Sequence, residues 1–158
     1  MQTLDSLAAL IHDNRQLLGI TRQGYDLWID SGTIEPGSNR ETERGLHFCD
    51  YRYRLALSID AMHGHRGGLL LAMLHNWETS LSREVRADLD EPQIITSTAT
   101  KNRGGRILQV EYTLDVRDGI YLTRDSNGPV QAIGDRWTFG EHTLNIAEAI
   151  SLTSEVRT

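Results

Sequence analysis

The stretch His63-Gly64-His65-Arg66-Gly67-Gly68 combines imidazoles, which bind metals and move protons, with glycines, which let backbone amides approach a phosphate. Two chemistries are open to it. A phosphate cradle needs G-x-x-x-x-G-K-[ST], whose lysine and hydroxyl hold phosphates and magnesium, and "GHRGGLLL" supplies neither. A dinucleotide fingerprint needs G-x-G-x-x-G in a parallel unit, whereas the strand before this corner reads as antiparallel. A metal site would join His63 and His65 to His75, with Asp60 as an acidic neighbour, but the spacing matches no established ligand motif. A sharp turn into the next helix, using glycine's tolerance of positive φ, explains Gly67-Gly68 without a ligand. The corner is therefore read as a turn with surface histidines, and no metal or other cofactor is assigned.

His47 and Cys49 lie two apart and share a strand face, which could activate the thiol as a nucleophile. Cys49 also continues the apolar face of Tyr51 and Tyr53, and it is read as a buried, inert thiol. No G-x-S-x-G, H-E-x-x-H or C-x-x-C occurs. The carboxylate pairs Asp26/Asp30 and Asp88/Asp90 read as solvated faces. Arg52 and Arg54 project from one strand face and could grip an acidic neighbour or simply be solvated. No catalytic residue is assigned. Trp28, Arg52, Arg54 and Trp137 are the candidates for contact with another subunit or partner.

The elements that would position these residues follow from periodicity. Residues 3–18 predict an amphipathic helix with Leu4, Leu7, Ile11 and Leu18 on one face and Thr3 or Asp5 as cap. Residues 25–30 alternate as a half-buried strand that Ser31-Gly32 ends. "EPGSNRETERG", residues 35–45, offers nothing to a core and predicts a mobile surface loop unless a partner holds it. Leu46 to Met62 gives the strongest signal, a long strand with Cys49, Tyr51, Tyr53, Leu55, Leu57 and Ile59 on one face and Asp50, Arg52, Arg54, Ser58 and Asp60 on the other. Leu70, Met73, Leu74, Trp77 and Leu81 then mark a short core helix. Residues 92–100 and 107–116 predict a second antiparallel hairpin around "KNRGGR". Asp118-Gly119 and Asn127-Gly128 predict turns around strands near 120–124 and 129–134, and a weak helix is expected near 144–152. The fold class is α+β, an antiparallel sheet with two helices packed on one face and a charged face left wet.

At 158 residues the chain is long enough for one domain with its own core. Its 16 Lys+Arg against 22 Asp+Glu leave a net charge of -6, which disfavours open-surface binding of nucleic acid. The single cysteine allows no internal disulfide, and no leader pattern opens the chain, so synthesis in a cytosol is expected. The longest apolar run, Leu69 to Leu74, is far short of the roughly twenty residues that cross a bilayer. No membrane partner is expected.

Five segments carry a resemblance. "LAALI...N", "YDLWIDSGTI", "FCDYRYRLALSIDAM", "GGLLLAMLHNWETS" and "VEYTLDV", spread over about residues 4–124, resemble the tail completion protein R family of contractile-tailed bacteriophages in order and spacing. The tyrosine-rich strand followed by the apolar helix is the most specific part. The family's segment between that strand and helix tends to be acidic, whereas this chain has "HGHRGG", so no role is carried over to the corner.

The resemblance implies a tail-terminator-like domain over residues 1–135, with 136–158 as a C-terminal extension. It implies a structural virion protein, not an enzyme, that caps the tail tube, ends its elongation and prepares the tail to join the head. The implied partners are copies of itself in a ring of six, the tail tube and sheath, and a head-completion or neck protein, with DNA passing through unbound. The implied location is the neck-proximal end of the virion tail, after assembly in the host cytoplasm. The competing classes are a small metal- or nucleotide-dependent enzyme using the His63-Gly68 corner, and a monomeric adaptor that binds a peptide through residues 35–45.

Overall fold

A computed structural model describes residues 2–20, 24–100 and 106–139. The elements in chain order are α1 (Gln2–Leu18), β1 (Tyr25–Pro36), β2 (Glu41–Thr42), β3 (Gly45–His63), a 3-10 turn (Gly64–Arg66), α2 (Gly67–Ser80), α3 (Arg83–Arg86), β4 (Gln93–Thr100), β5 (Arg106–Arg124), β6 (Val130–Ala132) and β7 (Asp135–Phe139). The strands form an antiparallel sheet, so the α+β class holds. No helix of the described residues is long and apolar enough to cross a membrane. The "KNRGGR" turn at residues 101–105 and the helix expected near 144–152 lie outside the described residues.

Two compact units divide the chain. The first holds the residues up to Thr33 together with Arg52–Asp118, and the second holds Ile34–Tyr51 and the residues from Gly119 onward.

In the first unit the strand order is β1-β3-β5-β4. The Asp60 N–H donates to the Gly24 carbonyl, and β4 pairs antiparallel with β5 from Gln93↔Thr113 to Thr100↔Arg106. Alternation sends Tyr53, Leu55, Leu57 and Ile59 of β3 to the side where Val110, Tyr112, Leu114 and Val116 of β5 are buried. The helices supply Leu7, Ile11 and Leu18 from α1 and Leu70, Leu74 and Trp77 from α2 to the same core. Each such side chain contributes about 1.5–3 kcal/mol on full burial. The Trp77 indole N–H donates to Ser6 Oγ at 2.8 Å and ties the helices together.

Several local expectations give way in this unit. Thr3 does not cap α1; it lies inside the helix, and its hydroxyl donates to Asp118 Oδ1 at 2.5 Å. The helix ends on Gly19 at φ +75°, with the Ile20 N–H bonded to Arg15 O and the Gly19 N–H to Gln16 O. That is the Schellman pattern, whose left-handed residue favours glycine. Ser31-Gly32 does not end β1, which continues to Pro36. The corner glycines do not use positive φ either. Gly67 is helical at φ -58°, and its need is for room, because a Cβ there would lie 2.9 Å from Leu108 Cδ2. The four-residue α3 carries no amphipathic signal in the sequence and was not expected.

In the second unit β7 pairs with both β5 and β6, and β2 pairs with β3. Leu46, Leu122 and Trp137 form its core, with Phe48, Ile120, Val130 and Ala132 packed against them. The polar stretch 35–45 is not a free loop. The Gly37 N–H donates to Phe48 O, the Asn39 N–H to His47 O, and the His47 N–H to Arg40 O, so backbone pairing along β3 orders it where core burial could not. Asp118-Gly119 is no turn, since β5 runs through it to Arg124. Asn127-Gly128 is one, closed by the Gly128 N–H on Asp125 O, although the strand after it is only Val130–Ala132. The expected boundary at residue 135 falls on the first residue of β7.

Candidate functional site

The sheet face of the first unit that turns away from the helices carries its charge. Asp26, Trp28 and Asp30 of β1 are exposed on it, alternating with half-buried Tyr25, Leu27 and Ile29. Arg54, Ser58 and Asp60 of β3 alternate with the buried odd positions of that strand. Register places Gln93, Ile95 and Ser97 of β4 directly opposite Thr113, Glu111 and Gln109 of β5, and hence on this same face. The face therefore carries a surplus of acids with two arginines set into it.

Arg54 is held within this face. Its Nε donates to Asp115 Oδ1 at 2.8 Å and its Nη2 to Asp115 Oδ2 at 3.3 Å, the fork geometry that suits a carboxylate. Hydrogen bonding to Asp115, with the charges of Asp115, Asp30 and Asp90, pushes the guanidinium above the ordinary arginine range. Of the two readings open for Arg54, the acidic neighbour is present within the chain. Arg52 joins it in lining a polar recess with Ser31, Gly32, Thr33 and Asp115. Trp28 stands on this face 44% exposed. Trp137, the fourth contact candidate, does not belong with them. It is 1% exposed in the second unit, its indole N–H donates to Ala132 O at 2.6 Å, and Arg124 lies over its ring, so it is a core residue with no surface to offer.

The residues that suggested chemistry do not converge. His63 and His65 are exposed and stack on each other with centroids 5.4 Å apart, and His75 is exposed on α2. Among the described residues no group of three or more His, Cys, Asp and Glu is placed to hold a metal. His47 turns to partners other than Cys49. The Ser38 N–H donates to its Nδ1 at 3.1 Å, which leaves the proton on Nε2, 2.6 Å from Asp50 Oδ1. Burial and the neighbouring Asp50 push the Cys49 thiol up, away from the thiolate a nucleophile needs.

Sequence reasoning missed two polar clusters that fix the frame of the first unit. Tyr53 Oη donates to Asp118 Oδ2 at 2.7 Å, so Asp118 receives donors from β3 and, through Thr3, from α1. Arg86 of α3 donates to Glu78 Oε2 at 3.1 Å, to Asp115 O at 2.5 Å and to Asp90 O at 2.7 Å. Partners 115 residues apart in the chain, such as Thr3 and Asp118, leave no local pattern to read.

β4 is the least guarded element. Gln93–Thr100 reads "QIITSTAT", with no charge, proline or glycine, and residues 93–98 are exposed. Among the described residues β4 pairs only with β5, which leaves its other edge open.

No curated protein and no solved structure matches the chain. Residues 1–139 match a family model described as P2 phage tail completion protein R (GpR).

Proposed function

Because the chain belongs to the P2 phage tail completion protein R family, we propose that it caps the finished tail tube, ends its elongation and prepares the tail to join the head. The family match carries this reading, since it spans the described residues of both units. The role is structural, that of a tail component, and no catalytic step is assigned. The working form is a ring of copies, six by analogy with tail terminators, set at the neck-proximal end between the tail tube and a neck protein, with the sheath as a further neighbour.

Two features support this reading. Among the described residues the sheet of the first unit ends in two open edges, β1 and β4, and a ring needs two different surfaces on each copy to close head to tail. Its wet face carries Asp26, Asp30, Asp60, Glu111 and Asp115 against Arg52 and Arg54, a surplus of negative charge that would keep passing DNA from adhering if the face lines the bore.

Deleting the coding sequence from its phage or prophage tests the proposal. Tails of abnormal length, or tails separate from filled heads, are expected under the electron microscope, with rescue by the intact chain in trans. Normal virions from the deletion would overturn it.

A further inference from the structure

We propose that β4 of one copy pairs antiparallel with the first half of β1 of the next, so that the sheet of the first unit continues from copy to copy with Trp28 seated beside the neighbour's Ile95. This deepens the ring reading above and rests on it.

A long, flat edge strand is a template for another strand, and chains that stay apart guard it with charge, proline, glycine or a bulge. β4 has none of these over eight residues, and five of the eight are β-branched. Its core-side residues are not covered by the helices, since Ile94 is 39% exposed and Thr96 and Thr98 are exposed with it. The other open edge of the same unit, β1, carries Asp26 and Asp30. Like charges discourage β1 from pairing with itself, whereas uncharged β4 brings no repulsion to it.

Topology then fixes the direction. The order β1-β3-β5-β4 has four antiparallel strands, so β4 runs opposite to β1. A neighbour placed edge to edge by rotation presents its β1 in the same sense as the first copy's β1, and the junction is antiparallel. Parity fixes the faces. Among the described residues of the first unit, Trp28 and Ile95, 44% and 67% exposed, are the two large apolar side chains exposed on the wet face, and each stands on one of the two edges. Setting them opposite each other aligns Asp30 with Gln93, whose amide can donate to it, and Asp26 with Ser97, whose hydroxyl donates to Gln109 Oε1 at 3.2 Å within the copy and would turn to Asp26 in the pair. An aromatic beside a β-branched residue is also a favoured cross-strand pair.

Cross-linking of the full chain tests the register. In a Cys49→Ser background, Ser97→Cys and Asp26→Cys together should give a ladder of disulfide-linked dimer, trimer and larger species on mild oxidation at high protein concentration. The yield should be at least about ten-fold above a control pair of Ser97→Cys with Glu84→Cys, because directly opposed Cβ atoms lie within disulfide reach. Adding Ile95→Lys should abolish the ladder without lowering the melting temperature. Dimers from Ser97→Cys alone, at yields matching the double variant, would mean β4 pairs with itself and would overturn the proposal, as would yields no higher than the control. Native mass spectrometry of the unaltered chain separates the two levels. A closed ring without the ladder sinks the edge pairing and leaves the ring, whereas a ladder that never closes sustains the pairing and sinks the ring.

Discussion

Tyr53 and Tyr112 share the buried side of the first unit's sheet, yet their hydroxyls stand in opposite circumstances. Tyr53 donates to Asp118, whereas Tyr112 Oη has no hydrogen-bond partner among the described residues. Removing a donor from the half-buried Asp118 carboxylate costs up to about 1–3 kcal/mol, and removing an unsatisfied hydroxyl costs nothing or stabilises. Tyr53→Phe should therefore lower the denaturation midpoint clearly, and Tyr112→Phe should leave it unchanged or raise it, as urea titration would show. Both phenols are pushed above the ordinary tyrosine value, Tyr53 by burial and then by Asp118, Tyr112 by burial and then by Glu78. The folded chain then holds protons that the unfolded chain releases, so stability is full below about pH 10 and falls as pH rises beyond it. Melting curves between pH 8 and 11 should show that fall, and Tyr53→Phe should reduce it. Periodicity placed Tyr53 on the buried face. Nothing in the residues around it announced Asp118.

Elements were legible where alternation or helical spacing ran long enough to outweigh local signals, as in Gly45–His63 and Gly67–Ser80. They were misread where turn-forming pairs sat inside strands. Ser31-Gly32 and Asp118-Gly119 favour turns in isolation, but a strand already laddered to its neighbour carries such residues straight through. The reverse error occurs between β6 and β7, where no Asn-Gly advertises the hairpin. Its two central residues are Ile133 at φ 50° and Gly134 at φ 71°, the left-handed pair of a type I′ turn. A β-branched residue is strained there by about 1–3 kcal/mol. Ile133→Asn should relieve part of this strain and raise the melting temperature by about 2–4 °C per kcal/mol gained, measured by calorimetry. An unchanged or lower value would show that the exposed Ile133 side chain contributes more than the turn loses.

For the whole molecule, the resemblance named the family, but neither it nor composition foresaw two units with separate cores. The division was hidden because β1, β3 and β5 each contribute residues to both. Trp137→Ala should cost about 3–5 kcal/mol, and native-state hydrogen exchange should show the loss concentrated at Leu46–Tyr51 and Ile120–Phe139. Equal loss across α1 and α2 would mean that the units open as one. β3 sets a stricter condition. Its large core side chains sit at even positions first, buried Leu46 and half-buried Phe48, and then at the odd positions Tyr53, Leu55, Leu57 and Ile59, with Ala56 and Met62 also buried at even ones, and His47 touches Asp50 three residues away, which regular alternation forbids. Losing or gaining one residue between Phe48 and Tyr53 would turn an entire run of side chains inside out. Any descendant of this chain that keeps both hydrophobic interiors must therefore change length there two residues at a time.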